Sequence, residues 1–285
     1  MLARPPTSLW RDALRRLARN RMAVGGGVIV LVLVITALFA PLLAPYDPIK
    51  QDYTAVLSGP SAAHPMGTDG LGRDVLSRLI FGARTSITVG VLTQVVILAI
   101  GLSIGATAGL AGGRTENLLM RFTDIMYAFP DLLLIILLRS IFGGSVTMIF
   151  VAIGLAGWVT VARLVRGQIL SLRERDYVLA ARSLGSSQFR ILVRHLLPNA
   201  LGPVIVALTF GIPGAIFAEA ALSYIGIGIS PPTPSWGSMI QDGYQAIFAF
   251  PYLVLWPGLA IALTMMSFTF LGDGLRDALD PRMRR

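Results

Sequence analysis

The chain has 285 residues, of which 54% are hydrophobic and only 14% are charged, whereas a soluble domain carries about a quarter charged residues. This composition excludes an ordinary soluble enzyme. The formal net charge of +9 does not indicate a nucleic-acid partner, because the basic residues lie at the ends of apolar runs. The chain contains no cysteine, and His64 and His195 fall in different segments, so no metal site is expected.

Six apolar runs approach or exceed the roughly 20 residues that cross a bilayer as a helix. The runs are continuous rather than alternating, which favours helices over the strands of a membrane β-barrel. The sequence therefore predicts an all-α integral membrane protein with six transmembrane helices. The predicted spans cover residues 22–44, 86–111, 118–138, 146–165, 200–222 and 251–271.

The segments around these spans complete the predicted organisation. Residues 1–21 form a basic N-terminal segment, and residues 45–82 form an external loop with several prolines and glycines. Residues 83–285 form a core with the other five spans. A basic start before an apolar run also fits a signal peptide. The run at 22–44 is long for that and no clear A-x-A site closes it, so a retained helix is favoured.

The basic residues predict the orientation in the membrane. Six spans place both termini on one side, and all but five of the 24 basic residues then fall on that side. The five exceptions are Lys50, Arg73, Arg78, Arg84 and Arg139. Because cytoplasmic segments carry the excess of arginine and lysine, both termini and the loop at 167–199 are predicted to be cytoplasmic.

That cytoplasmic loop contains a polar stretch, DYVLAARSLGSSQFRILVRHLLPN, at residues 176–199. Four of its residues recur at spacings of three and four and are predicted to share one face of a short helix: Tyr177, Ala180, Ala181 and Leu184. Gly185 suits the C′ position after that helix, where a left-handed backbone is needed.

A second short helix is predicted to follow, with Ser186 or Ser187 as its N-cap. Three apolar residues would share one of its faces: Phe189, Leu192 and Leu196. Pro198 is expected to end or redirect it. The stretch therefore predicts a helix–glycine–helix elbow.

Two interpretations of the elbow follow from its residues alone. Small residues at the bend and flanking arginines suit insertion into a groove of a partner protein. An elbow lying on the lipid surface is the alternative, with Arg182, Arg190 and Arg194 meeting anionic headgroups.

The Ala180-Ala181 pair, Gly185 and Leu197-Pro198 resemble the "EAA" signature of permease subunits of bacterial ABC importers, although Leu179 occupies its acidic position. Other segments resemble the "C" subunits of the dipeptide and oligopeptide branch, and the resemblance runs from about residue 20 to the end. These segments are HPMGTDGLGRDVLSRLIFGAR (64–84), MRFTDIMYAFPDLLL (120–134), ARLVRGQ (162–168), LSYIGIGISPPTPSWGSMI (222–240) and LGDGLRDALDPR (271–282).

The resemblance implies the transmembrane-domain fold of type I ABC importers and a non-catalytic, multi-pass subunit of the bacterial plasma (inner) membrane. The implied partners are a homologous permease subunit, one or two kinds of ABC ATPase subunit, a periplasmic or lipid-anchored solute-binding protein, and membrane lipid. The residues implied to contact the ATPase are Asp176, Tyr177, Ala180, Ala181, Arg182, Leu184, Gly185, Phe189 and Pro198. Di- or oligopeptides are the implied solutes, and nickel or another small solute is the alternative within the branch.

The chain has no P-loop of its own. That motif, G-x-x-x-x-G-K-[ST], requires a lysine that reaches the nucleotide phosphates, and the only lysine, Lys50, lies outside any such pattern. No cofactor is therefore expected in this chain, and ATP and Mg belong to partner subunits. An ion-coupled secondary transporter that acts alone is the alternative of a different class.

A few polar and small residues in the predicted spans are further candidates. Ionisable groups in membranes are costly and usually have partners or face water, so Asp131 and Glu219 are candidates for the translocation path, with structural hydrogen bonding as the alternative. Asp124 is expected to pair with Arg121. Four glycines at intervals of four predict a stripe for close helix packing: Gly101, Gly105, Gly109 and Gly113.

Overall fold

The structure, a computed structural model, describes residues 9–279 and the side chains from Ala13 onward. Within that range the chain folds into twelve α-helices and one π-helical turn, with no β-strand. The helices are α1 (Leu9–Arg19), α2 (Arg21–Leu38), α3 (Ala40–Leu43), α4 (Val75–Ala111), α5 (Gly113–Ala128), α6 (Asp131–Phe142), α7 (Val146–Arg173), α8 (Asp176–Ser183), α9 (Gln188–Ile191), α10 (Leu197–Tyr224), α11 (Trp236–Tyr244) and α12 (Tyr252–Leu279). The basic residues of the tail, at 282–285, lie outside the described residues.

Five of the six predicted spans are single long helices or continuous helical stretches. They are α2, α4, α7, the stretch from Gln188 to Tyr224 that ends in α10, and α12. The sixth is the pair α5 and α6, which meet at an angle of 86°. The described chain is therefore an all-α membrane protein with six apolar spans, one of which is broken.

The sequence predicts one span over residues 118–138 that Pro130 could kink, and the structure shows a complete break at that point. Phe129 and Pro130 both have extended backbones, with ψ of 132° and 120°. Proline disfavours a helical conformation in the residue before it and has no N–H to donate to the preceding turn. The chain therefore leaves α5 at Phe129 and starts α6 in a new direction.

The bent pair packs along α7. In α5, Asp124 accepts a hydrogen bond from Arg163 of α7 at 2.8 Å, whereas in α6 Ile135 packs in one cluster with Ile149, near the start of α7. The pair therefore lies along α7 at least from Ile149 to Arg163. The Asp124 contact also shows that the expected local pair with Arg121 is wrong, because the acid reaches the neighbouring helix.

The structure moves the boundary between the external loop and the core. The helix α4 begins at Val75 rather than after residue 82. Asp74 caps it, because its Oδ2 accepts hydrogen bonds from the Ser77 backbone N–H and hydroxyl, both at 2.7 Å. The last residues of the predicted loop 45–82 therefore belong to a 37-residue helix that projects beyond the bilayer core.

The helices α4 and α7 form the most extensive helix–helix contact among the described residues. A Cβ added at Gly101 would lie 2.9 Å from Val161 Cβ, and one added at Gly105 would overlap the carbonyl oxygen of Ala162. A Cβ at Gly109 would lie 2.9 Å from Ile169 Cβ. These glycines let the two backbones approach closely, as small residues do in membrane helix pairs.

Gly113 does not continue this stripe. It has a positive φ of 54°, starts α5 after the chain has turned, and has open space where a Cβ would lie. The stripe therefore has three members. The physical reason is that α4 ends at Ala111. Residues four apart share a face only within one helix, and Gly113 lies beyond the end of α4.

We expect Gly105→Ala to lower the free energy of unfolding by about 1–3 kcal/mol, because the new methyl group overpacks the α4–α7 contact against backbone atoms. The matched control is Gly167→Ala in α7, where the added Cβ meets no neighbour and the change is expected to be neutral or to stabilise by up to about 1 kcal/mol. Thermal denaturation of the purified variants measures both. Equal melting temperatures for the two variants would contradict the packing interpretation.

Candidate functional site

The first half of the cytoplasmic elbow is the helix α8, which ends in a Schellman motif. The backbone N–H of Ser186 donates to the Ala181 carbonyl at 3.1 Å, and that of Gly185 donates to the Arg182 carbonyl at 3.0 Å. Gly185 has a φ of 80°, which a residue without Cβ adopts at little cost. This confirms the left-handed C′ position that was predicted for Gly185.

The second half of the elbow does not end where it was predicted to end. Ser187 caps α9, since its hydroxyl accepts from the Arg190 backbone N–H at 3.4 Å. The chain then passes through a π-helical turn, Leu192–Leu196, directly into α10. Pro198 stands in the first turn of α10 and does not stop the helix. Its missing N–H is tolerated because the wider π turn precedes it.

One side of the elbow is anchored in the protein core. Val178 and Leu196 are fully buried and belong to one apolar cluster with Val165 and Ile169 of α7. Ala181 packs against the same cluster. The elbow is therefore held rigidly on the cytoplasmic end of α7.

The outer side of the elbow exposes apolar residues. Leu184 is 87% and Phe189 74% exposed, and Tyr177 is also exposed. The predicted face of Tyr177, Ala180 and Leu184 thus points outward, with Ala181 turned partly toward the core. The predicted common face of Phe189, Leu192 and Leu196 is wrong, because Phe189 is exposed and Leu196 is buried.

The remaining predicted elbow residues, Asp176 and Arg182, are both exposed on α8. Arg182 also lines a polar cavity of about 340 Å³ between the elbow and the ends of α4 and α7, together with Arg173 and Gln188. Arg173 of α7 bridges to α4, since its guanidinium donates to the Gly109 carbonyl at 3.3 Å. It also donates to the neighbouring Glu174 at 3.0 Å. The elbow thus meets the core through an apolar contact and a polar cavity.

Glu219 lies inside the subunit at the other end of α10. Its carboxylate is fully buried, and Oε1 accepts hydrogen bonds from the hydroxyls of Ser223 and Ser235, each at 2.7 Å. Ser235 is the N-cap of α11, and the next residue, Trp236, is buried against Gly82 of α4. In this conformation Glu219 joins α10 to the loop and helix that cover the outer end of α4.

The loop before α4, the start of α4 and α11 together form the outer cap of the subunit. A cluster of four charged residues holds this outer cap together. Asp242 of α11 accepts hydrogen bonds from Arg73 at 2.9 Å and from Arg78 at 3.1 Å. Asp69 bonds Arg73 Nε at 2.7 Å and lies 3.3 Å from Arg78 Nε. Both arginines are buried, and two carboxylates balance them, as buried charges require.

The loop around this cluster is tightly folded. Gly67 and Gly72 both have positive φ, and Gly72 lies against the backbone of Asp52 without room for a Cβ. The hydroxyl and N–H of Thr54 donate to the Asp52 carboxylate, and these hydrogen bonds lower the pKa of Asp52. The sequence predicted an external loop here, and it missed Asp242 because that residue is distant along the chain.

Asp131 lies at the first position of α6, immediately after the break at Pro130, and is exposed. Glu219, in contrast, is buried within the subunit. Within residues 9–279, no group of three or more histidine or acidic side chains is arranged to hold a metal ion.

Comparison with known protein families shows to which family this chain belongs. Residues 101–285 match the family described as "Binding-protein-dependent transport system inner membrane component". The chain belongs to this family. Residues 8–60 match a second family, "N-terminal TM domain of oligopeptide transport permease C".

The whole chain is also similar to individual permeases of this family. It is 42% identical to the oligopeptide transport system permease protein OppC of Bacillus subtilis, over 100% of this chain and 93% of that protein. It is 44% identical to the dipeptide transport system permease protein DppC of the same organism, over 99% and 88%. It is 39% identical to the glutathione transport system permease protein GsiD of Escherichia coli O6:K15:H31, over 96% and 91%.

A solved structure shows the same fold. A chain of the MetNI methionine ABC transporter in an inward-facing conformation matches with a TM-score of 0.57 and 18% identity, over 72% of this chain and 97% of that chain. This inner membrane component therefore has the type I ABC importer transmembrane fold, as the resemblance implied. It is a multi-pass protein of the bacterial inner membrane, and permeases of this kind work with ATPase and other permease partners.

We expect Glu219→Ala to lower the free energy of unfolding of this permease by about 1–3 kcal/mol, because two buried hydroxyls lose their shared acceptor. Glu219→Gln is the matched control and should cost less, since its amide oxygen still accepts at the Oε1 position. Thermal denaturation distinguishes the two variants. An Ala variant with an unchanged melting temperature and abolished transport would instead support a place in the translocation path.

Proposed function

We propose that this permease subunit forms, with a homologous subunit, the translocation path of an ATP-driven importer for di- or oligopeptides. The relatives named for oligopeptides, dipeptides and glutathione, itself a tripeptide, each match at least 96% of this chain. Their similarity extends through the outer cap and the elbow alike. This supports peptides over the alternative solute, nickel or another small solute.

One observation supports a role for the elbow in coupling the permease to an ATPase. One side of the elbow is anchored in the core, and the other side is exposed and apolar. Val178 anchors it, while Tyr177, Leu184 and Phe189 present apolar surface to the cytoplasm. An exposed apolar patch on a rigid support is typical of a protein-binding surface. We propose that an ABC ATPase subunit grips this face, with Asp176, Ala180 and Arg182 at its edge, and that Gly185 maintains the bend between the helices.

The elbow is joined directly to two of the membrane helices, α7 and α10. It follows α7 after a two-residue turn and passes into α10 without a break in hydrogen bonding. Movement of the elbow by the ATPase would therefore move α7 and α10 together, and α7 carries α4 with it through the glycine contact. We propose that this coupled movement opens the path alternately to the two sides of the membrane.

The proposed partners follow from this role. Two ATPase domains, of one or two kinds, would bind ATP and Mg and perform the hydrolysis, and a periplasmic or lipid-anchored binding protein would deliver the solute. The present chain would perform no bond chemistry. Asp131, exposed at the break between α5 and α6, remains our candidate for the path, whereas the hydrogen bonds of Glu219 favour a structural role within the subunit.

The alternative of a different class is an ion-coupled secondary transporter. Membership in a binding-protein-dependent transport family argues against it. Transport of peptides by the purified chain in vesicles that contain no ATPase would overturn our proposal. Transport that needs the ATPase subunits but ignores peptides and carries nickel would retain the importer and change its solute.

We expect Gly185→Val to abolish ATP-driven peptide uptake while the subunit still inserts in the membrane. A β-branched residue in the left-handed region costs about 1–2 kcal/mol and would displace α9 relative to α8. Gly113→Val is the matched control, because Gly113 also has a positive φ and an open Cβ position but lies outside the elbow. Uptake assays in proteoliposomes measure both, and equal loss of uptake in both variants would count against the elbow.

We expect Phe189→Ala to weaken co-purification of the ATPase with the permease and to lower solute-stimulated ATP hydrolysis. The side chain is exposed in the subunit, so its loss should leave the melting temperature unchanged. Phe248→Ala is the matched control, because Phe248 is fully exposed on the opposite side of the membrane. If both variants retain the ATPase equally well, the elbow face is not its contact surface.

A further inference from the structure

The helix α1 (Leu9–Arg19) separates its residues into two faces. At helical spacing Ala13, Leu14 and Leu17 follow one side, and Arg15, Arg16 and Arg19 follow the other. Its sequence, LWRDALRRLAR, contains four arginines and one acid. A short helix of this kind suits the boundary between a membrane and water rather than the membrane interior.

The apolar face of α1 is only partly covered by protein. Ala13 is buried, and Leu17 packs at Gly274 near the end of α12, where an added Cβ would lie 3.0 Å from Leu17 Cδ1. Leu14, on the same face, is 65% exposed. The α12 helix thus fixes the orientation of α1 and leaves an uncovered apolar edge.

The chain turns between α1 and the first span. Asn20 has an extended backbone, and its Oδ1 accepts hydrogen bonds from the N–H groups of Met22 and Ala23 at 3.1 and 3.2 Å. The next helix, α2, is apolar enough to enter the bilayer at once. The turn at Asn20 therefore places α1 at the level of the lipid headgroups.

The exposed arginines of α1 border the uncovered edge. Arg15 and Arg19 are exposed, and Arg16 is half-buried. The acids on the facing end of α12, Asp273 and Asp277, are exposed too, and among the described side chains they form no salt bridge with these arginines. Cationic groups beside an exposed apolar edge complement an anionic phospholipid, which offers a phosphate and acyl chains together.

We propose that α1 binds anionic phospholipids of the cytoplasmic leaflet, with Arg15 and Arg19 on the headgroup phosphates and Leu14 in the acyl-chain boundary. The helix would then fasten the cytoplasmic end of α12 to the membrane surface. This binding concerns a surface far along the chain from the elbow and does not depend on which solute the importer carries.

The test uses the complete importer, purified with its partner subunits and incubated in mild detergent with phosphatidylglycerol or phosphatidylcholine. Native mass spectrometry counts the lipids that each complex retains. Because each arginine near an anionic surface contributes roughly fivefold in affinity, Arg15→Gln with Arg19→Gln should reduce retained phosphatidylglycerol at least fivefold. Phosphatidylcholine retention should not change.

The matched control is Arg114→Gln with Arg121→Gln, which removes the same charge from exposed positions of α5 on the same predicted side. Equal loss of phosphatidylglycerol in both double variants would overturn the proposal, since the effect would then be one of net charge alone. Release of the ATPase subunits by the α1 variant, with lipid retention unchanged, would show that α1 contacts protein instead. Free inorganic phosphate is a further test. If it removes phosphatidylglycerol as effectively as the α1 variant does, the proposal is also overturned.

A second measurement follows the depth of α1 directly. The chain has no cysteine, so Leu14→Cys accepts a single environment-sensitive fluorophore. We expect its emission to shift to the blue in nanodiscs of phosphatidylglycerol relative to phosphatidylcholine, and the shift to disappear in the Arg15→Gln and Arg19→Gln background. The same emission in both lipids would contradict the proposed contact.

Discussion

The close contact between α4 and α7 is the interaction on which the rest of this structure depends. Burial of apolar surface does not drive helices together inside a lipid, so van der Waals contact between close backbones has to do so. Gly101, Gly105 and Gly109 make that approach possible. Because α7 also carries the anchor of the elbow at its cytoplasmic end, the contact links the membrane core to the surface that an ATPase would grip.

The two ends of the subunit are stabilised by different physics. At the outer end, Arg73, Arg78 and two carboxylates form a compact network that ties α4 to α11, and the buried Glu219 ties α11 to α10. At the inner end the elbow leaves aromatic and aliphatic side chains exposed. A closed outer cap and an open inner surface suit a subunit that is driven from the cytoplasm.

Much of the fold was predictable because membrane helices follow simple rules. Long apolar runs and basic flanks identify spans and their orientation, and Gly185 identifies the end of α8 because few other residues adopt a left-handed backbone. Three features were not predictable. Pro130 indicated a kink in its span, but nothing local gave the angle of 86° between α5 and α6. The π turn admits Pro198 without ending the helix, and Asp124 finds its partner on another helix.

The sequence by itself determined the class of protein, the number of spans and the position of the elbow, because hydropathy, charge and glycine act locally along the chain. Only the tertiary structure decided which face of the elbow is buried and how Asp242 neutralises two arginines. It also decided that Glu219 lies within the subunit rather than on its surface. These features depend on contacts between residues far apart in sequence. A local sequence pattern does not show which distant side chain will neutralise a buried charge or cover an apolar face.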